Sequence, residues 1–312
     1  MAVSRTDAAL LVVAAIAVST SAPLIREAAA PALAVAFWRN AMASSVLVPA
    51  STRGRVNTRR SRPPEPSHGR PTRAGSGAPD RRTWLLAGLA GLLLGAHFAV
   101  WIPSLSFTTV SASVALVATQ PVWAAVLAAV GGERLSRFGW LGIALALGGV
   151  LLITGFDVTG SGRALFGDLL ALAGGVLAAA YVSVGHAARR RLNTTDYTAV
   201  CYSVAAGALL VVCLVGSQPL TGFSARTWLC LVAITVGPQL LGHSVFNRVL
   251  RTVGPTVVSV SIVSEILGAS LLAALWFGES PSPAIVPAAG CIIAGVVLVV
   301  RAGVDPEELV TA

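Results

Sequence analysis

The chain has 312 residues, of which 55% are hydrophobic and only 11% charged, with a mean hydropathy of +0.79. An ordinary soluble domain carries about 25% charged residues, so this chain has too few polar side chains to cover a water-exposed surface. Its net charge is +9, carried by arginine with no lysine and confined to short segments between apolar blocks, which points to membrane topology and away from a nucleic-acid surface.

The apolar blocks run to roughly 18–24 residues, the length that crosses about 30 Å of hydrocarbon as helix. They are continuous and do not alternate, so helices and not barrel strands satisfy the backbone in lipid. The predicted class is all-α integral membrane. In chain order, spans are read near 8–24, 31–50, 84–102, 109–130, 137–155, 165–187, 197–215, 227–247, 255–277 and 284–301. Proline and glycine punctuate the gaps, at Pro31, Pro103, Gly131-Gly132, Gly160 to Gly162, Gly254-Pro255 and Pro281 to Pro283. Arg5 followed by an apolar run and Ser19-Thr20-Ser21-Ala22 has the form of a signal peptide. It is kept as the first span because the charge sorting works only with it. Residues 51–82 hold nine arginines among Pro, Ser and Gly. They are predicted to form a disordered cytoplasmic loop lying on anionic headgroups. No aromatic residue interleaves them, and no nucleic-acid partner is expected.

With ten spans, eighteen arginines fall on one side and Arg26, Arg163 and Arg226 on the other, while Arg39 lies inside a span. By the positive-inside rule both termini are cytoplasmic, including the tail at 302–312, and the protein is multi-pass in the cytoplasmic (inner) membrane.

Shifting the sequence by 146 lays residues 94–153 over 240–299 without a gap. His97 meets His243, Ser113-Val114 meets Ser259-Val260, Gly132-Glu133 meets Gly278-Glu279, and Gly149-Val150 meets Gly295-Val296. The chain is therefore read as two five-span repeats, 1–155 and 165–301. Five is odd, so the second enters from the opposite side and the repeats are inverted. That architecture is common among secondary transporters, whose sites lie near the midplane at the repeat interface.

Several local patterns point the same way: Ser19-Thr20-Ser21-Ala22-Pro23-Leu24, Pro31-Ala32-Leu33, Phe37-Trp38-Arg39-Asn40, Thr119-Gln120-Pro121 in the fourth span, and Gly132-Glu133-Arg134-Leu135 with Gly278-Glu279 as span endings. On these the sequence resembles the EamA-type families of the drug/metabolite transporter superfamily, over nearly the whole chain except 51–82. The resemblance implies an inner-membrane transporter, frequently an exporter, of metabolites, amino acids or drugs, in some relatives driven by protons. The family usually reads Glu-Pro in the ninth span. Here Glu265 is followed by Ile266, so that kink is absent, whereas Pro121 keeps one in the first half.

An ionisable group inside a span is a functional candidate. Glu265 is expected to line the central cavity and bind an amine or carry a proton. Arg39 is expected to pair with Glu27 or Glu265, with a substrate carboxylate as the other reading. His97 and His243 are candidates for paired gates or pH-sensitive groups, against a plain polar helix contact. Trp38, Asn40, Trp101, Gln120, Trp123, Tyr181, Tyr202, Asn247 and Ser259 are expected to line the cavity. Glu133 and Glu279 are read as structural, satisfying backbone or basic groups at span ends. The four cysteines form no CxxC pair, and neither metal nor cofactor is expected. The function expected is a secondary transporter, not an enzyme, exporting a small-molecule substrate by alternating access, with protons as a candidate coupling ion. The alternatives are a passive channel or facilitator and, more remotely, a membrane-embedded lipid-modifying enzyme. The sequence does not fix an oligomeric state.

Overall fold

A computed structural model describes residues 5–60, 79–132, 135–242, 245, 265–280 and 283–302. Each predicted span meets a helix or a helix pair. The helices are α1 (Arg5–Ser19), α2 (Ser21–Glu27), α3 (Ala32–Arg60), α4 (Arg81–Ser104), α5 (Val110–Val117), α6 (Gln120–Val130), α7 (Arg137–Gly160), α8 (Gly162–Arg189), α9 (Thr194–Val215) and α10 (Ala225–Ile234), followed by a π-helical segment (Thr235–Gly242), α11 (Glu265–Phe277) and α12 (Ile285–Ala302). Among the described residues there is no β-strand. Within those residues six helical stretches are long and apolar enough to cross a membrane, and shorter apolar helices lie at Arg137–Leu152, Glu265–Phe277 and Ile285–Val299.

Two spans are broken where hydroxyls compete for the backbone. Between α1 and α2, Ser19 Oγ donates to the Ala15 carbonyl (2.8 Å) and Thr20 Oγ1 to the Ala17 carbonyl (2.7 Å). Such back-bonding bends a helix. Between α5 and α6, Thr119 Oγ1 donates to the Leu116 carbonyl (2.5 Å), and Pro121 follows in the first turn of α6. The π-helical segment contains Pro238. Proline has no N–H to continue the ladder, and the chain takes the wider turn there.

The loop expected over 51–82 is corrected in part. α3 continues as helix to Arg60, because adding a residue to a formed helix is far easier than starting one. α4 begins at Arg81, capped by Asp80, which accepts from the Thr83 amide (2.9 Å) and hydroxyl (2.6 Å). These bonds hold the Asp80 carboxyl below the usual carboxylate range. Residues 61–78 lie outside the described residues.

The helices pack through small residues, as membrane helices do where backbones must approach closely. A side chain on Gly91 or Gly95 of α4 would run into Cys201 or Ala205 of α9. Gly142 of α7 and Gly295 of α12 meet backbone to backbone. α4 packs on α8, and in the other half the π segment and α10 pack on α1 and α2. α4 also packs on α9, and correspondingly α10 and the π segment pack on α3. The pairs α3–α9 and α7–α12 are each their own counterpart on exchanging the halves. The outside of this bundle is apolar, with Leu151 (69% exposed), Val215 (82%), Leu229 (70%) and Val286 (75%) among many large bare side chains. A continuous apolar coat of this kind suits lipid, not water.

Candidate functional site

Arg39 is 1% exposed on α3, with Asn40 fully buried beside it. The Arg39 Nε donates to Gln239 Oε1 (2.5 Å), and Gln239 Nε2 donates to Asn40 Oδ1 (3.3 Å). The Asn40 amide donates onward to the Ala36 carbonyl (2.8 Å). Both ends of the Gln239 amide are thus used, and the two halves of the chain are joined at the π segment. Non-α turns of this kind are frequent at functional sites. The guanidinium also lies over the Phe98 ring, 4.3 Å from its centroid, a cation–π contact that strengthens when desolvated.

α4 supplies the next layer. His97 and Trp101 stack with centroids 5.6 Å apart and planes 13° from parallel, and Phe98 is tilted against His97 at 4.8 Å. His97 Nδ1 lies 2.8 Å from the Gly174 carbonyl of α8. A carbonyl only accepts, so Nδ1 carries the proton. Gly174 makes this approach possible, since a Cβ there would press on Trp101. His97 is buried and bonded from one repeat to the other.

Glu265 opens the described part of α11 and is half-buried. It is within electrostatic range of Arg39, as are Tyr202 of α9 and His97. Arg39 does not pair with Glu27, whose carboxylate is taken by Arg226. Nor does it form a contact ion pair with Glu265 among the described residues. Its direct partner is the neutral Gln239, because the π turn brings that amide to the guanidinium. Thr119, the repeat counterpart of Glu265, is buried and accepts from Trp123 Nε1 (3.0 Å).

The other candidates separate. Trp38 lies apart from Arg39: its Nε1 donates to the Leu220 carbonyl (2.8 Å) and its ring meets Trp228 edge-on at 4.9 Å. It fastens the connection after α9. Tyr181 stacks on Tyr197 at 6.5 Å, toward the turn between α8 and α9. Gln120 is half-buried at the first position of α6. His243, Asn247 and Ser259 lie outside the described residues, as does Glu133. The structure thus brings Arg39, Asn40, His97 and Trp101 together with Glu265 in range, and adds Gln239 and Phe98, which sequence reasoning missed. It also places Asp168 of α8 fully buried, a carboxylate absent from the candidates read in the sequence.

Apart from Arg39, Glu265 and Asp168, the charged side chains in these contacts sort to two ends. At one end Arg26 pairs with Glu279 and lies over Phe277 (5.3 Å), Glu279 accepts from the Val110 amide (3.2 Å), Glu27 pairs with Arg226, and Arg163 donates to the Ser106 carbonyl (3.0 Å). At the other end Arg191 pairs with Asp80 (3.1 Å), and Ser51 donates to Asp196. A small cavity lined by Ile25, Arg26, Ala30, Ile102 and Ser106 lies beside the Arg26–Glu279 pair. No cluster of three His, Cys, Asp or Glu side chains that would hold a metal occurs among the described residues.

A family described as "EamA-like transporter family" matches the chain twice, over residues 6–155 and 165–301. None of the curated proteins matches. A solved structure described only as "Crystal structure of protein" superposes with a TM-score of 0.59 at 20% identity, covering 95% of this chain and 97% of that one. At that identity it supports the fold alone.

Proposed function

Because the chain belongs to the EamA-like transporter family, within the drug/metabolite transporter superfamily, we propose that it is a secondary transporter exporting a small metabolite, amino acid or drug-like solute across the cytoplasmic membrane by alternating access. The observation that carries this reading is the buried Arg39–Gln239 bond, which joins the two repeats deep in the bundle with Glu265 in electrostatic range. A charge held at the junction of repeats is where a carrier of this architecture meets its substrate.

The reading takes the bundle as ten spans in two inverted repeats. The helix pairings that correspond on exchange of the halves support it. So do the charged groups collected at two ends as an alternating path of spans requires. The arginine bias puts the end with Asp80, Arg191 and both termini in the cytoplasm. The opposite end is then tied shut by Arg26–Glu279 and Glu27–Arg226, and the conformation is closed to the outside. Glu265 takes the substrate amine or the coupling proton, while Arg39 and Gln239 hold the two repeats in register until substrate arrives.

The test uses purified protein in liposomes loaded with a pool of amino acids and small metabolites, with and without an imposed pH gradient. The expected result is selective loss of one solute class, steepened by the gradient and abolished by Glu265→Gln. Selective loss indifferent to both would remove Glu265 from the mechanism. No selective loss from any pool would count against the carrier.

A further inference from the structure

Arg39 carries more donors than the described residues use. Its Nε is taken by Gln239, yet its Nη1 is buried with no hydrogen-bond partner among the described residues. The indole Nε1 of Trp101 is buried and unpartnered in the same way, although Trp101 is itself only 5% exposed. Buried donors are almost always satisfied, so two orphans around one aromatic cluster ask for a ligand. Phe98 links them, with the guanidinium over its ring and the Trp101 ring 6.3 Å from it. Both orphans are donors and one belongs to a cation, which selects an acceptor-only anionic group. The side chains packed around the two donors, His97, Phe98 and Trp101, are aromatic, which selects a flat apolar body beside that group. Glu265 is in electrostatic range but not in contact, so it leaves the Nη1 edge open and favours a positive charge a short distance away.

Resting on the carrier reading above, we propose that Arg39 Nη1 and Trp101 Nε1 form a seat for the carboxylate of an aromatic solute, whose ring lies against Phe98 and Trp101. The carboxylate comes either from a simple acid or from a zwitterion whose ammonium faces Glu265.

The test is a melting experiment on the full-length protein in detergent. The probes are phenylacetate and L-phenylalanine, each beside its amide, phenylacetamide or L-phenylalaninamide. At saturation at least one carboxylate raises the Tm by about 3 °C, and its amide does not. A response to both acids means that the carboxylate suffices, and a response to phenylalanine alone means that the ammonium is read as well. Arg39→Gln abolishes the shift. Trp101→Phe, which keeps the ring and removes one donor, cuts it by half or more, so the result survives if Arg39→Gln does not fold. No shift with either acid, equal shifts with the amides, or a wild-type response in both variants overturns the seat. A shift lost in the variants, with no passage of the acid across vesicles, keeps the seat and removes the carrier. Passage without any shift does the reverse.

Discussion

Gln239 gives Arg39 a partner without giving it a counter-charge. A guanidinium buried against a neutral amide and an aromatic ring keeps its charge available, whereas a contact carboxylate would quench it. Replacing Gln239 by Leu strands the Arg39 Nε and the Asn40 Oδ1 together, and is expected to cost about 1–3 kcal/mol, read as a lower unfolding midpoint in a detergent titration. Gln239→Glu keeps an acceptor for the Nε and should retain most of that stability while losing transport, since it neutralises Arg39. Equal stability of wild type and Gln239→Leu would show that the bond is idle. Arg39, His97 and Trp101 were legible in the sequence because a charge or a large polar ring stands out inside an apolar block. Gln239 was not. A neutral amide between Pro238 and Leu240 looks like many others, and only the packing of α3 on the π segment shows what it touches.

Breaks in the helices follow local chemistry and were readable in part. Ser19-Thr20-Ser21 and Thr119-Gln120-Pro121 both interrupt their spans as hydroxyl and proline chemistry dictates. The π turn at Thr235–Gly242 was not readable, because the choice between a kink and a wider turn depends on what α1 and α3 press against it. Gly242 is close enough to Val18 that any side chain would collide. Which glycines sit in close packing depends on partners that only the packed helices show. Gly142 meets Gly295 backbone to backbone, whereas nothing lies within 4 Å of where a Gly148 side chain would stand, on the same helix. Gly142→Val should therefore destabilise by about 1–3 kcal/mol. Gly148→Ala should be neutral or stabilise by up to about 1 kcal/mol through helix propensity. Unfolding of the two variants side by side checks this, and equal losses would contradict the packing described.

On the carrier reading proposed above, two repeats exchanged by symmetry give two arrangements of similar energy, and the contacts at each end decide which is occupied. In the described form the ion pairs of Arg26 and Glu27 gather α2, α10 and the end of α11 at one face. Glu279→Gln is expected to open that face. In a cysteine-free background, a cysteine at Ala30, which lines the adjoining cavity, should then react several-fold faster with an impermeant thiol reagent added outside. Reversing the charges at both Arg26 and Glu279 should restore slow labelling. Labelling unchanged in Glu279→Gln would leave the pair a surface contact of little weight, as many exposed ion pairs are. The two-repeat plan was the part most legible in the sequence, since the 146-residue shift runs without a gap through spans whose apolar faces must pack alike.

The central claim, that this molecule carries a solute by exposing one site to each side in turn, is tested most directly by counterflow. Purified protein in liposomes is preloaded with an unlabelled solute identified in the efflux pool, and uptake of the same solute in labelled form is followed from outside. A carrier predicts uptake that saturates with concentration and is accelerated several-fold by the solute inside, with both features lost in Arg39→Gln. Uptake that rises linearly with concentration and ignores the inner solute would contradict alternating access and make the bundle a pore.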